Sequence, residues 1–313
     1  MSYIWDIPVF AWKGVQLMDI NKYVLFADVA NTKNFTKSGE RMGYTQPGVS
    51  HVLKAMEREL GFSLFLRTPK GVTLTSDAET ILPLVRELLA VNEQLEQTVS
   101  QINGLEKGHL CIATFASISR SWLPQVIYAF KLKYPGIEIE LLEGGTDDIV
   151  GWVEDSQADL GLLSKKHASS LKWTPLYEDA LMAILPKEYP VNGREAIPMK
   201  EIEEWPFIIS AEGVDYDVHD AIQKAGITPN IRYSSTDDHT VISMVSNHLG
   251  VSILPNLVIG TAKDKVLALP LEPYFSRELG IGARADTSLS PAAKRFVQTI
   301  KETLEQEAPE GGE

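Results

Sequence analysis

Three polar side chains that can hydrogen-bond to DNA bases recur four residues apart near the start of the chain. Gln46, Ser50 and Lys54 would share one helix face, because four residues make about one turn. Glutamine can form two hydrogen bonds with adenine, serine can contact a base or a phosphate, and lysine suits guanine or a phosphate. The pattern predicts a helix that reads base edges in a DNA major groove.

The neighbouring residues supply the start and the buried side of such a helix. Thr45 is a suitable N-cap, and Pro47 suits the first turn, where its missing N–H costs nothing. Gly48 removes a side chain where the helix end would approach DNA closely, and His51 flanks the polar face. Apolar residues at helical spacing define the opposite, buried face: Val49, Val52, Leu53, Met56 and Leu60.

A preceding helix and a basic hairpin are expected to frame the reading helix. The preceding helix should have Thr36 as its N-cap and end before Gly43, which tolerates the positive φ of a helix exit. Arg67 and Lys70 form a basic tip suited to phosphate or the minor groove. The polar face alone could be an ordinary solvated face, but the turn, the cap and the basic tip together favour a winged helix-turn-helix.

The segment 35–67, FTKSGERMGYTQPGVSHVLKAMERELGFSLFLR, followed by LTSDAE, resembles the DNA-binding domain of LysR-type transcriptional regulators. Two departures from the family pattern are visible: Ser38-Gly39 replaces the usual alanine pair, and Asp77-Ala78 replaces the usual Ala-Gly. Gly39 should cost about 0.5–1 kcal/mol of helix stability. The resemblance implies a winged helix-turn-helix at 18–75, a linker helix at 76–105 and an effector-binding domain at 106–305.

The net charge of −13 is unevenly distributed along the chain. Residues 19–75 carry eight Lys/Arg and five Asp/Glu, residues 1–18 cancel, and residues 76–313 therefore carry −16. The basic part can approach phosphates while the acidic remainder discourages non-specific binding. No apolar run reaches membrane-spanning length, and no basic region followed by an apolar core opens the chain, which predicts a cytoplasmic protein.

Three further predictions concern the two ends of the chain and its single cysteine. Residues 1–17 precede the usual first helix of the family, and Lys13-Gly14-Val15 can be encoded by a purine-rich, ribosome-binding-like string. We therefore expect Met18 to be the true start, the alternative being a small aromatic docking arm. After Leu304 the end, with an acidic tail at 306–313, is expected to be disordered. Cys111 should be a buried, inert thiol, with a redox switch as the alternative.

The segment 76–105 is predicted to form a long helix that pairs two chains, with a kink at Pro83. Asn92 interrupts its heptad seam, either to fix the partner's register or because that position is exposed on a less regular helix. In the family this helix is the dimerisation element. The predicted seam comprises Ile81, Val85, Leu88, Asn92, Leu95 and Val99, and continues to Ile102.

From about residue 106, strand and helix signals alternate, which indicates parallel sheets in an α/β arrangement. Such sheets bind ligands beyond the carboxyl ends of their strands, where helix N-termini offer free N–H groups. Ser117, Thr146 and Ser210 follow three predicted strands. Each could simply cap a helix, but as a set they favour a ligand cleft.

GHLCIATFASISRSWLPQVIYAFKLKYPGIEIELLEG and VSNHLGVSILP resemble the family's effector-binding domain. The resemblance implies two α/β lobes like those of periplasmic binding proteins, lobe I at 106–182 and 267–305 and lobe II at 183–266. The chain would cross near Asp179–Pro186 and return between about Pro255 and Pro270. Ile118 would join the three hydroxyl residues in the cleft. Phe115 and Ile118 stand where relatives often have polar residues, which favours a more apolar effector.

Other classes of protein fit less well. The histidines and the cysteine show no metal-ligand spacing, and no nucleophile elbow, P-loop or dinucleotide fingerprint is present. Asp147-Asp148 and Asp237-Asp238 suit first-turn partners of a helix dipole better than catalysis. We expect no enzyme, metal or cofactor, and neither a free-standing solute-binding protein nor an interaction-only scaffold. The expected partners are promoter DNA with an interrupted inverted repeat, a small metabolite effector, further copies of the chain as homodimer or homotetramer, and possible contact with RNA polymerase.

Overall fold

The structure is a computed structural model that describes residues 19–69, 71–103, 107–166, 168–191, 193–210, 216–260 and 262–307. The chain divides into two compact units, with the boundary between Asn92 and Glu93, inside one long helix. Across those described ranges, no helix combines the length and the apolar character that spanning a membrane would require.

Three helices and a two-stranded hairpin begin the first unit: α1 (Ile20–Thr32), α2 (Phe35–Met42), α3 (Gln46–Leu60), β1 (Phe65–Thr68) and β2 (Gly71–Leu74). The N-cap of α2 is Asn34, whose side chain accepts hydrogen bonds from the N–H groups of Thr36 and Lys37 at 2.9 and 3.1 Å. The expectation that Thr36 caps this helix is therefore wrong: the helix begins at Phe35. Gly43 ends α2 with φ +71°, as predicted.

A single apolar core holds the helices of this unit together. Helix α3 contributes Val49, Leu53 and Met56, which are almost fully buried, while Val52 and Leu60 are half-buried at the edge. Aromatic rings of α1, α2 and the hairpin complete the packing, with the Phe26 and Phe65 ring centroids 5.7 Å apart. The buried face of α3 is thus the predicted one, and its packing fixes which face points outward.

The long helix α4 (Ser76–Ile102) contains Pro83 and carries two apolar stripes. Val85 is 5% exposed within the core of the first unit, and Ile81 packs against that core. The prediction that Ile81 and Val85 belong to the seam between two chains is therefore wrong, because both side chains pack within the first unit. Asn92 is half-buried and engaged in an interaction rather than exposed, and its role in fixing the partner's register stays a prediction. The exposed apolar residues of α4 are Leu84, Leu88, Val91, Leu95, Val99 and Ile102.

The second unit begins with β3 (Gly108–Thr114), α5 (Ala116–Ser119), α6 (Leu123–Lys133), β4 (Ile137–Glu143), α7 (Thr146–Glu154), β5 (Leu160–Ser164) and β6 (Lys172–Pro186). It continues with β7 (Ile197–Pro198), a 3₁₀ helix (Met199–Glu204), β8 (Pro206–Ser210), α8 (Tyr216–Ala225), β9 (Asn230–Ser235), α9 (Asp238–Ser246), β10 (Ser252–Pro255), α10 (Asn256–Ile259) and β11 (Val266–Glu272). It ends with β12 (Ser276–Ala283) and α11 (Pro291–Glu307).

Strand pairing divides this unit into two lobes. In lobe I, β3 is parallel to β4 and β5, as predicted, but β12 is antiparallel to β5 and β6. In lobe II, β8 and β9 are parallel, and Phe207 bridges to Val251. The long strand β6 joins the lobes, because its first half pairs with β12 and its second half with β10 and β11.

The return crossing lies later in the chain than expected. Strand β11 still pairs with the lobe II half of β6, and β12 is the first returning strand that pairs with lobe I. The chain therefore returns between Glu272 and Ser276, beyond the predicted interval that ended at Pro270. Helix α11 also continues to Glu307, past the expected end of order at Leu304. The predictions for residues 1–18 and 308–313 lie outside the described residues.

Candidate DNA-reading helix and effector cleft

The N-terminus of α3 is built as the sequence predicts. The Thr45 hydroxyl accepts a hydrogen bond from the Gly48 N–H at 3.2 Å, and Pro47 lies in the first turn. A Cβ at Gly48 would lie 3.3 Å from the Thr45 hydroxyl oxygen. Gly48 therefore leaves space for the cap itself, in addition to the close approach to DNA expected from the sequence.

The polar face of α3 is available to an external partner. Lys54 and His51 are exposed, and Gln46 and Ser50 are half-buried. Among the described residues, none forms a hydrogen bond with the side chain of Gln46, Ser50 or Lys54, and Arg58 donates only to the Lys54 backbone carbonyl. Since the opposite face is packed in the core, these free donors and acceptors are held in one direction, as base readout requires.

The departure from the family pattern at Ser38-Gly39 has a packing explanation. A Cβ at Gly39 would lie 2.7 Å from the Tyr44 carbonyl oxygen and 3.2 Å from a Val49 methyl group. The Ser38 hydroxyl is fully buried and hydrogen-bonds to the Thr32 hydroxyl at 2.6 Å. Glycine therefore lets α2 contact the turn before α3 closely, which positions the start of the reading helix.

The hairpin supplies the predicted wing. Strands β1 and β2 are antiparallel, and Arg67, opposite Val72, is exposed. Thr36, which does not cap α2, is exposed in the first turn of that helix, so its hydroxyl is available to a partner. Lys70, predicted at the tip, lies outside the described residues.

A cavity of about 230 Å³ lies between the two lobes of the second unit. Its walls come from the ends of β3 and β4 in lobe I and from the start of α9 in lobe II, with α10 alongside. Its apolar lining comes from Phe115, Leu257 and Val258. A cavity at the carboxyl ends of parallel strands is the predicted location of a ligand site.

The four predicted cleft residues differ in position. Ser117 lines the cavity, whereas Ile118 is 1% exposed in the core of lobe I, so its assignment to the cleft is wrong. Thr146 is also buried, and the preceding Gly144 and Gly145 form the wall in its place. Ser210 is buried and does not line the cavity. Its hydroxyl donates at 3.1 Å to a carboxylate oxygen of Asp238, which does line it. Residues 211–215, which follow Ser210, lie outside the described residues.

A buried ion pair forms the floor of the cavity, and sequence reasoning missed it. Arg277 on β12 donates from Nε and Nη2 to the same Asp179 oxygen at 3.0 and 2.9 Å, and both side chains are 2% exposed. Arg277 also donates to the Ser117 hydroxyl at 3.0 Å and lies over the Phe115 ring. The second Asp179 oxygen accepts the Leu257 N–H at 3.1 Å. The pair therefore ties both crossing strands to the cavity wall.

The rim of the cavity is charged. Arg120 and Glu143 stand on the lobe I side, opposite Asp237, Asp238 and His239 at the start of α9. Asp237 caps α9, and the Thr240 hydroxyl, which donates to it at 2.8 Å, is the main reason that the pKa of Asp237 lies below its ordinary value. The carboxylate of Asp148 also acts at a helix start, but from inside the first turn of α7: it reaches back to accept the N–H of the N-cap residue Gly145 at 3.2 Å.

The single cysteine of the chain lies in this unit. Cys111 on β3 is buried, as predicted, and burial raises the pKa of its thiol to about 12. The reactive thiolate is therefore scarce at neutral pH. Within the described part of the chain, no three His, Cys, Asp or Glu side chains gather in a way that could hold a metal ion.

Two family models match the two parts of the chain. Residues 20–79 match the bacterial regulatory helix-turn-helix protein model of the lysR family, and residues 103–305 match the LysR substrate binding domain. The chain belongs to the LysR family. One relative in this family, the uncharacterized HTH-type transcriptional regulator YvbU of Bacillus subtilis (strain 168), is 31% identical over 288 residues. The match covers 91% of this chain and 98% of YvbU.

Two full-length solved structures have the same fold as this chain. A full-length OxyR variant from Pseudomonas aeruginosa has a TM-score of 0.71 at 21% identity, covering 92% of this chain and 94% of OxyR. Full-length CbnR in complex with its target DNA has a TM-score of 0.64 at 17% identity, covering 91% of this chain and all of CbnR (100%). This LysR-family chain is thus a DNA-binding transcriptional regulator with an effector-binding domain.

Proposed function

We propose that two chains pair through α4 and that each dimer reads the two halves of an interrupted inverted repeat in promoter DNA. The support is the apolar stripe from Leu84 to Ile102, whose members are between 45% and 78% exposed in the single chain. Leu84, Leu88, Val91 and Leu95 alternate by four and three, the spacing of a two-helix seam. A second copy of the same helix buries such a stripe, and a two-fold dimer matches an inverted repeat.

In this proposal α3 reads the bases and the rest of the first unit holds the backbone. Gln46, Ser50 and Lys54, with Pro47 and His51 beside them, enter the major groove. Arg67, Lys70 and Thr36 contact phosphates. The net charge of +3 on residues 19–75 is small for one domain, so adding the charge of several domains is what makes binding tight at physiological salt.

Two dimers would then assemble through the effector-binding units. Tyr128 and Leu132 on α6 are 69% and 68% exposed, and Ile231 and Tyr233 on β9 are 52% and 42% exposed. Large apolar side chains grouped on one helix and one edge strand are what association surfaces offer. A homotetramer that presents four copies of α3 follows from combining these surfaces with the α4 seam.

A small metabolite would bind in the cavity between the lobes and change their relative angle. Ser117 and Arg277 are the polar groups best placed to meet it, because Ser117 lines the wall and Arg277 joins that wall to both crossing strands. Binding favours one lobe arrangement only by the difference in affinity between arrangements, so the effector must distinguish them by a few kcal/mol. The tetramer would convert that difference into a change in DNA bending and in contact with RNA polymerase.

The side chain of Gln97 connects α4 to the effector-binding unit, and a change in lobe angle would reach α4 through it. Its amide nitrogen donates to the His109 carbonyl at 2.7 Å and to Glu93 at 3.0 Å, and its oxygen accepts the Ala292 N–H at 3.2 Å. The side chain is 4% exposed, and a Cβ at Gly108 would lie 2.6 Å from it. Strand β3 and helix α11 are thus fastened to the end of α4.

The proposed protein acts by binding alone, in the cytoplasm, with no catalytic step and no cofactor. The charged rim of the cleft consists of helix caps and ion pairs, and the thiol is buried, so the geometry favours reversible binding over bond chemistry. The observation that carries the proposal is the outward face of α3, whose polar groups have no partner among the described residues.

The test is a set of DNA-binding measurements on purified full-length variants. Gln46→Ala should relax base preference at one position of each half-site, at a cost of about 1–3 kcal/mol on the preferred sequence. The exposed Glu40→Ala, on α2, is the control and should leave base preference unchanged. An equal loss by Gln46→Ala on every DNA sequence would refute its role in direct readout.

A further inference from the structure

A second cavity, of about 340 Å³, also lies between the lobes and shares Arg277 with the first; we call it the hinge cavity. Lobe I contributes the end of β5, at Ser164, and the residues that follow it. Lobe II contributes one face of α8, and the crossing strands β6 and β12 form the remaining wall. A ligand held there would touch both lobes at once.

The Ser164 hydroxyl is the least explained polar group of this cavity. Ser164 is 2% exposed, and its oxygen has no hydrogen-bond partner among the described residues. Buried hydroxyls are nearly always paired, so an orphaned one that lines a cavity indicates a missing partner. The hydroxyl is a donor, and the partner it lacks can be an acceptor oxygen.

The charges around Ser164 indicate which kind of acceptor fits. Each carboxylate of the cavity is already engaged: Glu278 accepts from Lys165 at 2.9 Å, Asp220 pairs with Lys166, and Asp217 is engaged as well. Lys224 on α8 has no carboxylate partner within the described ranges. The buried Ser164 hydroxyl of lobe I and the exposed Lys224 ammonium group of lobe II are therefore the two polar groups of the cavity that no described side chain pairs.

The electrostatic environment of Lys166 also favours an anion in this cavity. Burial lowers the pKa of its ammonium group, and the nearby positive charge of Lys224 lowers it further, while Asp217 raises it. Two lysines that repel each other across a cavity become compatible when an anion lies between them. Phosphate and carboxylate oxygens accept hydrogen bonds from ammonium and hydroxyl groups together.

We propose that the hinge cavity binds a small anionic group, a carboxylate or a phosphate, through Ser164 of lobe I and Lys224 of lobe II, with Lys166, which Asp220 holds, beside them. Bound there, the anion joins the two lobes and stabilises one lobe angle. Arg277 lines both cavities, so the two sites share one residue of the buried ion pair. This site is additional to the regulatory function proposed above, and its occupancy is measured without DNA.

The experiment is calorimetric and thermal-shift titration of the full-length protein with two probes, inorganic phosphate and malonate, each against sodium chloride at matched ionic strength. Saturable binding of either probe is the expected result, and the tighter probe identifies the anion class. Ser164→Ala and Lys224→Gln should each weaken that binding at least tenfold, because each removes one charge-assisted hydrogen bond. Both should fold, since one removes an unpartnered hydroxyl and the other changes an exposed side chain.

Lys263→Gln is the matched control, because Lys263 is exposed on lobe II and does not line the hinge cavity. It should bind the probe as the wild type does. The proposal is overturned if neither probe acts beyond sodium chloride, or if the two cavity variants bind as tightly as the control.

Discussion

Breaking the buried Arg277–Asp179 pair should destabilise the effector-binding unit strongly. Both side chains are 2% exposed, and Arg277 makes two contacts to one Asp179 oxygen. Arg277→Met would leave the Asp179 charge buried without its cation, although the Leu257 N–H would still donate to it. Removing one partner of such a pair costs about 3–5 kcal/mol, chiefly through the uncompensated buried charge.

The same reasoning predicts strong non-additivity. Asp179→Leu should also cost about 3–5 kcal/mol for the orphaned Arg277, plus roughly 1–3 kcal/mol for the unpaired Leu257 N–H. The double variant leaves no buried charge, so its loss should be no more than about 3 kcal/mol, smaller than that of either single variant. The ion pair is therefore a device that orients the cavity floor rather than a large net source of stability.

Urea unfolding followed by tryptophan fluorescence measures these differences. The four tryptophans of the described ranges, Trp122, Trp152, Trp173 and Trp205, all lie in the second unit, so among described residues only this unit contributes to the signal. The exposed pair Lys133–Glu302 is the control, and Lys133→Met should leave the midpoint nearly unchanged. Additive losses in the double variant, or single losses below about 1 kcal/mol, would refute the argument.

Three further variants test other parts of the account. Gly39→Ala, which in an open helix would stabilise by about 0.5–1 kcal/mol, should instead destabilise the first unit, because its Cβ would lie 2.7 Å from the Tyr44 oxygen; a raised unfolding midpoint contradicts this. Leu95→Asp should dissociate the dimer in sedimentation while Leu95→Met keeps it; an intact Leu95→Asp dimer removes α4 as the seam. Ser117→Ala should weaken the effector response at least tenfold whereas Thr146→Val should not, since only Ser117 lines the cleft cavity; equal responses in reporter assays would contradict the assignment.

The reading helix was predictable because its signals are local. A cap, a first-turn proline and an apolar stripe at helical spacing all fall within residues 45–60, and the structure has the helix there. The N-cap of α2 was assigned wrongly because Asn34 and Thr36 are both residue types that cap helices. The choice between them depends on where the backbone first adopts helical dihedral angles, which is at Phe35. From the sequence, Gly39 was expected only to reduce the stability of α2. Its close contacts with Tyr44 and Val49 arise when α2 packs against the turn and the start of α3.

The α4 seam was only partly predictable because two apolar stripes share the same spacing. Val85 and Leu88 both fit a heptad, but only the packed first unit decides that Val85 faces its core and Leu88 faces outward. The sequence pattern cannot separate the stripe that a helix uses within the chain from the one it offers to another chain.

In the effector-binding unit, the strand ends were predictable and the orientations of the side chains beyond them were not. Ile118 and Thr146 follow strands as Ser117 does, yet both turn into the core. The Arg277–Asp179 pair joins residues 98 apart, so no local signal connects them. The charged residues Arg277 and Glu278, which precede the apolar remainder of the strand segment 276–283, were the one available indication.

The most direct test of the account is a footprint of the purified protein on the DNA upstream of its own gene, at two salt concentrations, with Gln46→Ala alongside. We predict a protected, interrupted inverted repeat whose affinity falls steeply with salt, and a Gln46→Ala footprint that loses base preference within each half-site. If wild-type protein protected no such repeat there or in a genome-wide binding experiment, the proposed readout by α3 would be contradicted.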